Sequence, residues 1–345
     1  MKQKVLSLSF RVVAVLILTA VLIICSGADP VRAVSVFFYA VFGNLNGFAE
    51  VFVRATPLIF LGLAIALSFR TGFFNLGAEG QFYMGALAAT ASVVYTPTLP
   101  GLLRIIIACV AAALAGGVWS IIPAYMKNRM GISETISTIM FNYIAIMFVG
   151  LAIRGFLHDN STPEPQSIQI LEEVRLSQLL YPTRLHSGLI LAVFAAVVVW
   201  FLLYRTTIGY ELRMTGLNKR AALVNGLPVN RCLILSALLA GGLAGMAGMN
   251  EILGVQYRLL EGVSGGNGYT AVLIALLAKN HPLGVVLASI GYSAILVGAT
   301  TMQRHLGVPS SIVSIIVGFI VLMILCNDFG KIWREHRKEH ASHVE

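Results

Sequence analysis

Charge is what this chain has least of: 11% of its 345 residues are Asp, Glu, Lys or Arg, while 57% are hydrophobic and the mean hydropathy is +0.84. No water-soluble fold of this length hides so much apolar surface, so a soluble enzyme is excluded. Cysteine is scarce as well. Cys25, Cys109, Cys232 and Cys326 form no Cys-x-x-Cys pair and the histidines do not cluster, so the cysteines read as small core residues and no metal site follows. A nucleotide-binding loop is also missing. Gly330-Lys331 is followed by Ile332, with neither the upstream glycines nor the Ser/Thr that Mg²⁺ needs, so this chain does not hydrolyse ATP by itself. No cofactor and no catalytic residue is implied.

What is abundant is long apolar runs. They fall near 10–27, 51–69, 76–95, 102–126, 135–154, 186–204, 232–253, 268–279, 283–301 and 309–326. A hydrocarbon core about 30 Å thick asks for roughly 17–25 apolar residues per helix, and the runs lack the alternation of a barrel. The expected fold is all-α: a polytopic membrane protein with about ten transmembrane or half-length helices, the eighth too short to cross comfortably. With the N-terminus inside, Lys and Arg divide about two to one in favour of the inner face, which places both termini in the cytoplasm. The net charge of +9 then reflects membrane orientation and contact with lipid, and nucleic acid is not a partner. The stretch 2–28 has the basic start, apolar run and small-residue exit of a secretory signal. Bulky Ile24 before Cys25, and the odd number of crossings that cleavage would leave, favour a retained first helix.

One transmembrane domain is expected over 1–330, with a charged cytoplasmic tail over 331–345. Its longest external segment, 155–185, carries Pro163, Pro165 and Pro182, which oppose a long helix, although Leu171 to Leu180 is compatible with a short interfacial one. Its cytoplasmic segment, 205–231, is polar and basic. Within that segment Asn218 is placed to cap a short helix over 218–225. Ala221, Ala222 and Val224 are small enough for a partner to press against, and Gly226 with Pro228 ends the helix. A solvated connector anchored to anionic lipid is the alternative. Small residues recur four apart at Ala237, Gly241 and Gly245 and at Ala112 and Gly116, a pattern that lets helix backbones approach closely.

Three stretches put polar groups at membrane depth. In Arg70 to Ala89, glycines interrupt the apolar run around Asn75, Glu79 and Gln81, beside Phe73 and Phe74. A buried carboxylate there costs about 2.5–3.5 kcal/mol on insertion scales, so it faces either a solute cavity or a partner group such as Arg70 or a backbone donor. In the second stretch Glu134, Thr138 and Asn142 share one helix face, with Phe141 and Tyr143 flanking the amide. That amide is suited to a flat polar ring, or to a bond between helices. The third, 261–283, has a glycine-rich entry and an Asn280-His281-Pro282 break, as a half-length helix would. The N-terminus of such a helix, near Asn267, Gly268 and Tyr269, directs free N–H groups at a solute, or the glycines simply make a turn. Gly262 to Gly266 also matches G-x-S-x-G formally, with His281 and His305 the nearest bases in sequence.

The runs FFNLGAEGQFYMGA, SETISTIMFNYIA, ELRMTGLNKRAALVNGLPVNR and GGNGYTAVLIALLAKNHP together resemble the permease subunits of ABC importers for nucleosides and simple sugars. These are relatives of the ribose and branched-chain amino acid permeases, and the likeness extends over about residues 50–325. Tyr269-Thr270 departs from the small or acidic residue common after the glycines. The resemblance implies a coupling helix around Gly216, Leu217, Asn218, Ala221, Ala222 and Gly226 seated on a separate ABC ATPase. It further implies a second permease subunit, an unlike one more often than an identical one, an extracytoplasmic binding protein, and residence in a bacterial cytoplasmic membrane. The expected solute path is lined by Phe73, Phe74, Asn75, Glu79, Gln81, Phe141, Asn142, Asn267 and Tyr269. A ribose, sugar or branched-chain amino acid permease is the alternative, ahead of an ion-coupled carrier, which would need a second acid beside Glu79.

Overall fold

A computed structural model describes residues 19–25 and 27–309, together with 311, 312, 314, 315, 317–319 and 322. Most of the spans expected over 10–27 and 309–326, the tail over 331–345 and both termini lie outside the described residues. Among those described, after a helical stretch Thr19–Cys25, the main α-helices in order are α1 Pro30–Phe42, α2 Leu45–Arg70, α3 Ala78–Val94, α4 Gly101–Met130, α5 Glu134–Arg154, α6 Gly188–Arg205, α7 Thr207–Leu217, α8 Lys219–Val224, α9 Val229–Glu251, α10 Asn267–Leu277 and α11 Pro282–Leu306. Six segments, α2, α4, α5, α6, α9 with its π-helical extension to Gln256, and α11, are long and apolar enough to cross a bilayer. The chain is thus a polytopic helical membrane protein. Extended pairing among the described residues is limited to three isolated β-bridges. The expected short span is α10, 11 residues long.

The chain divides into two units, residues 52–291 and residues 1–51 with 292–345. In the larger unit α3, α4 and α9 pack backbone against backbone. A Cβ at Gly116 would overlap the Gly241 carbonyl, one at Gly85 would overlap the Gly245 backbone, and one at Gly245 would overlap the Ala112 carbonyl. The small-residue stripes are therefore the contact surface, which is how helices associate where lipid removes the hydrophobic drive between them. Ser120 Oγ adds a hydrogen bond across the same seam, donated to the Ala237 carbonyl at 2.5 Å.

The connection from α5 to α6 folds over the end of α9. Ser167 N–H donates to the Leu259 carbonyl, Ile170 N–H to that of Tyr257 and Leu176 N–H to that of Leu253. Its helical content is the single 3₁₀ turn Glu172–Val174, shorter than the interfacial helix that Leu171 to Leu180 permitted. The backbone of this stretch pairs with 253–259 instead. His186, at the entry to α6, is buried beside Gly254, where any Cβ would meet the imidazole. Burial pushes its pKa down to about 4, and Nδ1 accepts from Gly188 N–H at 3.2 Å, so the ring is neutral.

In the smaller unit, Asp29 caps α1 by accepting from Val31 N–H at 2.9 Å, with Pro30 at the first helical position. Ile23, Ala33, Ala299, Met302 and Val308 form its core, and Gly298 makes room for the Phe37 ring.

Candidate functional site

Residues 71–77 leave the helical path between α2 and α3, so their backbone groups need partners at membrane depth. Side chains from α5 supply them. Thr138 Oγ1 accepts from Leu76 N–H at 3.3 Å, Asn142 Nδ2 donates to the Leu76 carbonyl at 2.9 Å, and Asn142 Oδ1 accepts from Gly80 N–H at 2.8 Å. Within the break, Asn75 and Gln81 exchange two amide hydrogen bonds of 3.1 and 3.0 Å, and Asn75 Oδ1 also accepts from Gly77 N–H. All three amides are buried and partnered. The interhelical reading of Asn142 thus describes its geometry.

Glu79 has neither Arg70 nor open space before it. Its Oε2 accepts from Gly268 N–H at 2.7 Å, in the first turn of α10, and Gly268 must be glycine because a Cβ would strike the Glu79 backbone and carboxylate. Arg70 reaches the other end of the same helix, donating from Nε to the Asn280 carbonyl at 3.1 Å and from Nη2 to that of Lys279 at 3.3 Å. An acid at the N-terminus and a cation past the C-terminus match the helix dipole. The N–H of Gly268, expected to face a solute, is instead held by the protein's own carboxylate. Tyr269 is 43% exposed, with its hydroxyl 3.4 Å from Asn142 Nδ2, and Asn267 is half-buried. Phe141 packs edge-on against Trp119 with ring centroids 5.4 Å apart. Ser264 is buried, whereas the His281 ring lies against Tyr204, so the G-x-S-x-G match has no base from that histidine.

The segment from Thr206 to Pro228 forms the second region. Thr206 caps α7, and Asn218 caps α8 by accepting from Arg220 and Ala221 N–H at 3.0 and 3.1 Å. Gly226 follows α8 with a φ of +75°, a turn in which a side chain would be strained. Ala222 points into the chain, in a cluster with Phe73, Ala124, Val229 and Leu233. Phe73 therefore sits beneath this segment, while Phe74, its neighbour, is exposed against Phe69. Gly216 lies against the Arg70 and Thr71 backbone so closely that no Cβ fits. Lys127 pairs with Glu134 and lies over the Phe73 ring at 5.6 Å. Burial, then the Lys127 charge, holds the Lys219 ammonium below the ordinary lysine range. Facing away from the chain are Leu217 (77% exposed), Leu223 (59%) and Val224 (88%), with Ala221.

Sequence reasoning missed Arg70 and Gly268 as the end-clamps of α10, and Leu223 as an outward residue. Thr138 was visible through its shared face with Asn142. For Gly268 the only signal was one glycine among several, and its partner lies 189 positions away.

Residues 47–325 match the family described as branched-chain amino acid transport system / permease component. The chain is 36% identical over 311 residues, 88% of each chain, to the guanosine ABC transporter permease protein NupP of Bacillus subtilis. It is 32% identical over 333 residues, 94% of this chain and 87% of the relative, to the glucose ABC transporter permease protein TsgB13 of Haloferax volcanii. To the nucleoside ABC transporter permease protein NupB of Lactococcus lactis it is 30% identical over 331 residues, 93% of this chain and 91% of the relative.

Proposed function

The chain belongs to the family of branched-chain amino acid transport system / permease components, and we propose that it is the permease subunit of an ABC importer that carries a nucleoside inward across a bacterial cytoplasmic membrane. The observation that carries this reading is α8. It is a helix capped by Asn218 that presents Leu223 and Val224 to the outside, next to Leu217 at the end of α7, while Ala222 locks it onto Phe73, two residues from the start of the polar network at Asn75. An exposed apolar knob on a basic segment is a surface that a partner covers. Held from within by Phe73 and Gly216, it is also a lever whose displacement reaches α2, α3 and the clamped half-helix. The work is done by a separate ATPase subunit.

Of the expected path residues, Tyr269, Asn267, Phe74 and Phe141 retain accessible surface; Phe141 is taken up by its contact with Trp119, and the other three are the ones we place at the solute. Asn75, Gln81 and Asn142 hold the break, and Glu79 holds α10. The outward face of α5, with Met140, Tyr143, Met147 and Leu151 exposed, is where a second permease subunit would close the path. Affinity then resides in an external binding protein, because tight binding inside the membrane would slow release. Nucleoside is preferred to sugar because two of the three relatives above are named for nucleosides; the glucose relative keeps a sugar as the second reading.

The test is uptake of radiolabelled guanosine into vesicles containing the complete complex. Uptake that needs ATP and the ATPase subunit supports the proposal. Uptake that survives loss of the ATPase and collapses with an ion gradient replaces it with a secondary carrier.

A further inference from the structure

A cavity of about 500 Å³ opens beside the last three turns of α5, on the side of the 155–187 connection. That volume lies within the roughly 300–1,000 Å³ common for small-molecule sites. Its floor includes Tyr83, one helical turn beyond Glu79 on α3, and its apolar wall includes Ile146, Met147 and Val149. At its rim Arg154 Nη1 pairs with Glu261 Oε1 and also donates to the Gly150 carbonyl at 3.1 Å. Gly150 lies directly beneath the pair. A Cβ there would come within 3.2 Å of both Arg154 Nη1 and Glu261 Oε1, a tight contact to which the ends of these two flexible side chains would yield by a few tenths of an ångström. Neither charged residue belongs to the polar network around Asn75 and Asn142.

A half-exposed ion pair adds little to stability, because water screens it. Its chemistry is better suited to recognition. The guanidinium keeps N–H donors free beyond Nη1, and the carboxylate keeps lone pairs on Oε2. A donor set and an acceptor set therefore stand side by side. Because the pair is neutral as a whole, an anion meets Glu261 and a cation meets Arg154, and both are disfavoured. A neutral vicinal diol satisfies the two at once, with hydroxyl protons donated to the carboxylate and hydroxyl oxygens accepting from the guanidinium. The apolar wall and Tyr83 offer a face for the less polar side of such a molecule.

Resting on the importer reading, we propose that Arg154 and Glu261 form a subsite that receives the vicinal diol of an uncharged ribose- or hexose-bearing solute. It stands at the outer end of the path, before the solute reaches Tyr269.

The experiment uses the complete reconstituted importer and compares guanosine with 2′,3′-dideoxyguanosine, and glucose as a second diol source, in wild type, Glu261→Gln and Arg154→Gln/Glu261→Gln. The preference that an external binding protein imposes is common to all three proteins. A change in the guanosine-to-dideoxyguanosine uptake ratio relative to wild type therefore reports the permease alone. The expected result is a ratio reduced roughly tenfold in Glu261→Gln, since a site built to bond hydroxyls discriminates strongly against their loss. If wild type carries glucose and not guanosine, the expected result is a similar fall in glucose uptake, which assigns the diol to a hexose. An unchanged ratio with normal wild-type uptake overturns the subsite and leaves the importer reading intact. Equal loss of guanosine and dideoxyguanosine uptake, with a lowered melting temperature, also overturns it, because the pair is then only a structural tie. Wild-type complex that moves neither guanosine nor glucose overturns the parent reading instead.

Discussion

Asn142 occupies a position where one amide answers both a carbonyl and an N–H of another segment, Leu76 O and Gly80 N. Leucine at 142 would strand both, at roughly 1–3 kcal/mol for each buried group. Asn142→Leu is therefore expected to lower the melting temperature of the purified complex clearly, with transport falling only as the folded fraction falls. A variant that melts like wild type yet transports poorly would return Asn142 to the solute path. His186 yields a second expectation. Its folded pKa of about 4 lies below the ordinary 6.5, so the unfolded chain binds the extra proton first as pH falls. The stability it contributes is full above about pH 6.5 and is lost as pH drops toward 4, on the order of 3 kcal/mol in all. Melting curves between pH 7.5 and 5 should show that decline, and His186→Phe should flatten it whatever its effect at pH 7.5.

The half-helix α10 is held by Glu79 at one end and Arg70 at the other, each matched to the dipole. Arg70→Met removes two hydrogen bonds and Glu79→Leu removes one, each worth roughly 0.5–3 kcal/mol. Arg70→Met and Glu79→Leu should each speed amide exchange over residues 267–277 while α9 keeps its protection; unchanged exchange would mean that packing alone holds the element. For α8 the expectation separates two faces. Leu223→Asp with Val224→Asp should abolish co-purification of the ATPase subunit without altering the melting temperature, because both side chains face outward. Ala222→Asp should instead destabilise the protein, since it buries a carboxylate against Phe73 and Val229. Retained ATPase binding in the Leu223/Val224 double variant would remove the docking assignment.

The glycine seam joining α3, α4 and α9 governs how the larger unit closes. Gly245→Leu places a side chain where the Ala112 carbonyl already sits, so α9 can no longer lie against α4. Size-exclusion chromatography of that variant should show aggregated or misassembled protein rather than a monodisperse complex. A monodisperse, transporting variant would mean that the helices approach less closely than this seam implies.

Much of this was legible in the residues. Hydrophobic run length announced membrane helices, because a fixed hydrocarbon thickness asks for a fixed number of apolar residues. Four-residue spacing of small side chains marked the seam, and Asn218 with Gly226 bounded α8, because capping and left-handed turns are settled within a few positions of chain. The half-length of α10 followed from its flanking glycines and the Asn280-His281-Pro282 break. What stayed hidden was every choice of partner. Glu79 had as candidates a cavity, Arg70 or a backbone donor, and Ala222 was placed on the outer face although it is an inner residue. The physical reason is that composition and periodicity act along the chain, whereas a polar group at membrane depth is satisfied by whatever folding brings within about 3 Å, here an N–H 189 residues away.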